Sequence, residues 1–213
     1  MQLAPHIHAC EDNGEVVLLD LRRNRYWGLP AGAFGSDGFQ VAGLPRGRDV
    51  INHQWCDRLL ARGDLVDGDD RLAPEERPRP LAKAVLPTAS PLSVGEKIEF
   101  VTACLWADRQ VRRGSLDIAF ARLAALKERA SGGDVSVRAA QFLRQRPWFP
   151  HERVCLFDSL ALFHYAARAG QSCELVVAVR SRPFAAHCWV ERGGHTLNDF
   201  YDTHASFTPI FRI

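Results

Sequence analysis

Cys155, His187 and Asp199 follow one another along the second half of the chain, and these three side-chain types can together do nucleophilic chemistry at a carbonyl carbon. The thiolate attacks, the imidazole keeps it ionised and later protonates the leaving amine, and the carboxylate fixes the imidazole's tautomer and orientation. Cys155 opens the stretch CLFDSLALFHYAARAG, in which Leu156, Leu160, Phe163 and Ala167 recur at helical spacing before Gly170 stops it. A cysteine in the first turn of a helix meets unpaired backbone N–H groups and the positive end of the helix dipole. Both favour a thiolate, and the N–H groups can hold an oxyanion. Taken alone, Cys155 also fits a small buried apolar residue.

The elements that must position these groups come next. Beyond Gly170 the apolar pattern changes from helical to alternating, giving expected strands at Glu174–Arg180, Ala185–Arg192 and His195–Phe200, with Gly193-Gly194 at the last turn. Helices carrying a cysteine, followed by an antiparallel sheet carrying His187 and Asp199, make an α+β fold. The register of the last hairpin decides whether His187 meets Asp199. A two-residue turn at Gly193-Gly194 sets Asp199 opposite Cys188, whereas a three-residue loop, Arg192 to Gly194, sets it opposite His187. The triad requires the three-residue loop or an equivalent bulge. Asn198 is a rival orienter on the other face, and His164, His195 and His204 read as solvated or structural. Cys173 and Cys188 read as core or strand thiols. His187, Cys188, Asp199 and His204 have no established ligand spacing, so no metal and no cofactor is expected.

Upstream, Ser93 and Glu96 form a capping box ahead of Val94, Ile98, Val101 and Leu105, which share one helical face. Ser115 is expected to cap a second helix with Leu116, Ala119, Phe120, Leu123 and Leu126 inward, and a third is expected from Val137 to Arg146. These stripes read as plain core. Residues 76–92 are proline-rich and short of large apolar side chains, which predicts an extended linker between domains at 1–75 and 93–213.

Within 1–75 the branched run Val16–Leu21 follows the turn Asp12-Asn13-Gly14, and Arg25–Gly28 supplies a third strand. LPAGAFGSDGF reads as a short, poor helix, Asp49–Ala61 as a clearer one with Gly63 as its stop, and Leu65–Asp69 as the turn of a wing. Strands, helices and a wing outline a small winged-helix-like module. Arg22, Arg23 and Arg25 are basic, but the helix with Asp49 and Asp57 is no basic recognition helix, and the net charge is only +2, which argues against nucleic acid.

The composition, 46% hydrophobic and 24% charged, excludes a disordered or fibrous chain. Six cysteines stand apart with no CxxC pair, which removes zinc-finger and thioredoxin readings. No basic, apolar signal segment opens the sequence and no run of about 18 apolar residues occurs, so a cytoplasmic location without membrane attachment is expected.

CLFDSLAL at Cys155–Leu162, RPFAAHCWVE at Arg182–Glu191 and LND at Leu197–Asp199, with DLRRNRYWGL at Asp20–Leu29, resemble the lasso peptide biosynthesis B proteins. These are cysteine leader peptidases of transglutaminase-like (papain-like) fold, some fused to a leader-recognition domain. Cys188 stands where that family usually has alanine. The resemblance implies Cys155, His187 and Asp199 as catalytic residues. It implies a ribosomally made precursor peptide as substrate, and an asparagine-synthetase-like lasso cyclase as the partner that closes the ring afterwards. It also implies that the leader adds as a strand to the amino-terminal module, with a groove expected at Tyr26, Trp27, Leu29, Trp55 and Leu59. Each of these can equally close the module's own core. Two other functions fit the same residues: an inactive peptide-binding adaptor, and an acyltransferase or transglutaminase in which an amine replaces water.

Overall fold

The computed structural model describes residues 1–72, 82–88, 90–130, 132–152, 154–198 and 205–213. The chain divides into two compact units, one of Met1–Pro78, Ala178–Ala186 and Phe207–Phe211, the other of Arg79–Val177, His187–Ser206 and Arg212–Ile213. The amino-terminal unit therefore takes in two later segments that a division by sequence position leaves out. The expected linker at 76–92 lies partly outside the described residues.

The first unit is built on an antiparallel meander of β2 (Ile7–Asp12), β3 (Glu15–Asp20) and β4 (Arg25–Leu29). Asn13 and Gly14, both at positive φ, form the two-residue turn between β2 and β3, as the twist of a hairpin requires. β1 (Gln2–Leu3) pairs with β7 (Leu65–Val66), and β5 (Phe34–Gln40) pairs with β6 (Val50–Ile51). α1 (His53–Arg62) starts at Asn52, whose side chain accepts the Trp55 N–H at 3.0 Å, and ends at Gly63 in the left-handed region. Leu3, Ile7, Leu18, Leu29, Ile51, Cys56 and Leu59 fill the core.

Two expectations change here. The segment read as a poor helix is a short 3-10 turn at Ala31–Ala33 followed by strand β5. A Cβ on Gly38 would sit 2.1 Å from the Ile51 carbonyl oxygen, so its glycine serves close strand approach rather than helix breaking. Among the described residues the unit has a single α-helix. Among the described residues the second helix expected of a winged-helix-like module is a strand, β5, and the remaining helix begins later than expected, at His53, because Val50-Ile51 pair as β6.

The second unit carries α2 (Val94–Arg113), α3 (Asp117–Glu128), α4 (Val135–Gln145) and α5 (Cys155–Arg168). α5 is the central helix, packed against α2, α3 and α4. The five-stranded sheet runs β12 (Thr208–Arg212), β9 (Glu174–Arg180), β10 (Ala185–Arg192), β11 (His195–Thr196), β8 (Ala82–Lys83). β8 falls in the expected linker and pairs in parallel with β11 through the main chain, Ala82 N–H to Gly194 O at 2.9 Å and Ala84 N–H to Thr196 O at 3.0 Å. Extended proline-rich chain can add to a sheet edge without large side chains.

Both halves of the Ser93–Glu96 capping box form. The face of α2 expected to be core nevertheless points outward: Val94, Ile98, Val101 and Leu105 are 43–74% exposed. The helix buries Phe100, Ala103, Cys104 and Ala107 instead. The small residues Ala103 and Ala107 belong to the packed face, and the larger residues of the parallel stripe do not. Apolar spacing alone does not choose between two such faces.

Candidate active site

Cys155 is the first residue of α5 and is half-buried; the other five cysteines are all buried. Burial pushes the thiols of Cys10, Cys104 and Cys173 up to about 12, so they stay protonated at neutral pH. The N-cap of α5 is Val154, which has no side-chain acceptor, whereas Asn52, Ser93 and Asp134 cap their helices. The N-cap residue of α5 thus gives the N–H groups around Cys155 no side-chain oxygen of the kind that α1, α2 and α4 receive.

A buried arginine builds the approach to this helix. Arg146, in the 3-10 turn Arg146–Trp148, is 5% exposed. It donates to the main-chain carbonyls of Phe149 (3.2 Å), His151 (3.1 Å) and Glu152 (2.9 Å), and its Nε hydrogen-bonds the Asp158 carboxylate in the first turns of α5. Its guanidinium lies 4.8 Å from the centroid of the Phe157 ring, on which His151 also stacks. His151 Nε2 reaches the Asp108 carboxylate of α2 at 3.3 Å. One planar cation with fixed donors therefore holds three loop carbonyls and the start of the cysteine helix together.

His187 stands half-buried in β10. On the same face of the strand, two residues on, the buried Trp189 has its ring centroid 5.9 Å from that of His187. The Trp189 indole N–H donates to Glu191 Oε2 at 2.7 Å, and Arg212 pairs with Glu191 and, at 3.0 Å, with Glu174. The tryptophan beside the histidine is thereby fixed in one orientation.

The helix and the strand are joined through Ser159, one turn below Cys155. Its buried hydroxyl donates to the Cys188 carbonyl at 3.0 Å and accepts from the Asn198 amide at 3.0 Å. Residues four apart share a helix face, so the Ser159 bonds hold the Cys155 face of α5 to the strand at the residue next to His187. Asn198 in turn accepts the Val190 N–H at 2.8 Å. Asn198, read as a rival orienter, has its carbonyl oxygen on that backbone N–H and so acts as a pin between strand and helix.

The last hairpin departs from the expected three-residue loop. Arg192 pairs with His195 and Glu191 with Thr196, with Gly193 and Gly194 both at positive φ, which is a two-residue turn. Continued regularly, that register would set Asp199 across from Cys188. The ladder stops first: Leu197 N–H donates to Val190 O at 2.8 Å, but the Val190 N–H goes to the Asn198 side chain in place of a strand carbonyl. Asp199 lies outside the described residues, as does His204.

Of the remaining histidines, His164 stacks on Trp106 at 4.5 Å between centroids, and its pKa is lowered to about 4 by burial and then by Arg168 and Arg122. Exposed His195 approaches the Gly193 carbonyl at 3.0 Å. The expected leader contacts divide in two. Tyr26, Trp27 and Trp55 are half-buried, while Leu29 and Leu59 are 4% and 1% exposed and belong to the core, so those two do not line a groove. Ser159, Asn198, Arg146 and Trp189 act in this site without any motif that marks them for these roles. The only sequence signal for Ser159 is its spacing of four from the cysteine. His6, Asp20 and Asp64 bring ligand-type atoms within 4.8 Å of one another in the first unit, but both carboxylates face arginines, Arg23 and Arg62, as an ion-pair cluster.

Among the described residues no helix is long and apolar enough to cross a membrane. Comparison with curated proteins and with solved structures gives no match. The family model described as the transglutaminase-like superfamily matches residues 99–212. That span is more than half of the chain and contains α5, β9, β10 and β11. Members of this superfamily are often cysteine-dependent enzymes, and the chain belongs to the transglutaminase-like superfamily.

Proposed function

We propose that the protein is a cysteine peptidase that removes the leader from a ribosomally made precursor of the lasso-peptide kind, before a partner cyclase closes the ring on the new amino terminus. The observation that carries this reading is the Ser159 bridge, which ties the helix beginning at the one half-buried cysteine to the strand bearing His187.

In this mechanism the Cys155 thiolate adds to the scissile carbonyl carbon, and the oxyanion is held by N–H groups of the first turn of α5. His187 gives its proton to the leaving amine, which departs as the amino terminus of the core peptide. A water then loses a proton to His187 and attacks the thioester, and the leader leaves as a free acid while the thiol is restored. Asp199 holds the His187 ring in the tautomer this needs. The amino-terminal unit receives the leader as an added strand at the edge of β4 that is unpaired among the described residues, beside Tyr26 and Trp27. The resemblance of Asp20–Leu29 to a leader-recognition segment supports this.

The superfamily match is equally compatible with acyl transfer to an amine. Incubating the protein with the precursor peptide and weighing the products separates the two: hydrolysis yields a leader with a free carboxyl, and transfer yields a new amide. Intact precursor with wild-type protein favours the inactive adaptor.

A further inference from the structure

In the first unit, a cavity of about 440 Å³ is lined by Asp20, Arg23, Arg25, Tyr26, Trp27 and Arg62. Successive residues of a strand point to opposite faces, so a cavity lined by the consecutive Arg25, Tyr26 and Trp27 wraps around the edge of β4. That edge is free: among the described residues β4 pairs with β3 alone.

The cationic side chains around the cavity are not equivalent. Arg23 is held by the Asp20 carboxylate at 2.8 Å. Arg62 pairs with the buried Asp64 at 2.7 Å and lies 4.5 Å from the centroid of the Trp27 ring. Arg25 is exposed and makes no ion pair or hydrogen bond among the described residues. Asp20 accepts from the Arg22 and Arg23 N–H groups as well as from the Arg23 side chain, so both its oxygens are engaged. Three arginines thus meet two carboxylates, leaving one positive charge unbalanced at the strand edge. The buried Trp27 indole N–H has no acceptor among the described residues.

From this we infer that the cavity is a subsite for an acidic side chain, aspartate or glutamate, of an extended peptide that adds to β4. The inference rests on the leader-recognition reading and names the side-chain class that reading leaves open. Main-chain bonds to the β4 edge hold the peptide without regard to sequence, and the arginine–aromatic cavity sets its register by taking the carboxylate.

The test uses the full chain and fluorescein-labelled nine-residue peptides of threonine and valine carrying one glutamate, moved through each position, with glutamine, lysine and phosphoserine counterparts. In one register the glutamate peptide should bind about tenfold or more tighter than its glutamine twin, the scale of a charge-assisted hydrogen bond. R25E should erase that preference and bind the lysine peptide better, and R25Q should erase it without favouring lysine. Arg25 is exposed and unpaired, so neither change disturbs the core. Equal binding of glutamate and glutamine peptides, no binding of any peptide, a preference unchanged in R25E, or tighter binding of phosphoserine would each overturn the subsite. Precursor cleavage with no acidic preference would sink the subsite alone. Acidic preference in a protein that cuts no precursor would sink the peptidase reading alone.

Discussion

Ser159 and Cys188 are joined by a hydrogen bond from the serine hydroxyl to the cysteine's main-chain carbonyl at 3.0 Å, inside the protein. The side chain of one helix residue thereby ties α5 to the main chain of β10. Ser159→Ala would remove the buried hydroxyl that bonds that carbonyl and the Asn198 amide. An unsatisfied buried polar group costs about 1–3 kcal/mol, so the variant should unfold at lower urea concentration. Turnover should fall more than peptide affinity, because the helix and strand shift relative to each other while the first unit is untouched. Unchanged turnover would show that the bridge does not position the site.

Arg146 should be the most costly surface-distant substitution in the second unit. Arg146→Met removes the cation from the Asp158 carboxylate and takes the guanidinium donors away from the carbonyls of Phe149, His151 and Glu152. Breaking one side of a buried pair typically costs about 3–5 kcal/mol. Adding Asp158→Asn should recover part of the loss, since the stranded charge is then gone. Urea unfolding of the two variants checks both statements.

Native alkylation should mark Cys155 first. It is the half-buried cysteine, whereas Cys10, Cys104 and Cys173 are buried with thiols pushed up to about 12. Iodoacetamide labelling at neutral pH followed by peptide mapping should give Cys155 modification before any other. Labelling of Cys10 at the same rate would favour the adaptor reading.

His164 makes stability depend on pH. Burial lowers its pKa from 6.5 to about 4, so the unfolded chain takes up this proton at higher pH than the fold does. Its contribution is complete above about pH 6.5 and is lost as pH falls towards 4, by at most about 1.4 kcal/mol per pH unit. His164→Phe keeps a ring against Trp106 and cannot titrate. The stability difference between the two proteins should be flat above pH 7 and shift against the wild type below 6.5. Parallel curves would contradict this.

Much of the second unit is legible in the amino-acid sequence. The helix beginning at Cys155 follows from its apolar spacing and terminal Gly170, α2 from its capping box, and β9 and β10 from alternation. Other features are not legible there, for identifiable reasons. Gly193-Gly194 permits both loop lengths, and the Asn198 side chain takes the Val190 N–H in place of a strand carbonyl, a substitution no periodicity encodes. Arg146 looks like any arginine at a helix end until the carbonyls of residues 149, 151 and 152 converge on it. The outward stripe of α2 and the strand at Phe34–Gln40 escape a sequence reading because local pattern says which residues share a face and not what that face meets.

Incubation of the precursor peptide with wild-type protein and with Cys155→Ala, followed by mass spectrometry, tests the central claim most directly. Free leader acid and core peptide are expected with the wild type, and intact precursor, still bound, with Cys155→Ala. Cleavage by Cys155→Ala at the wild-type rate would contradict it.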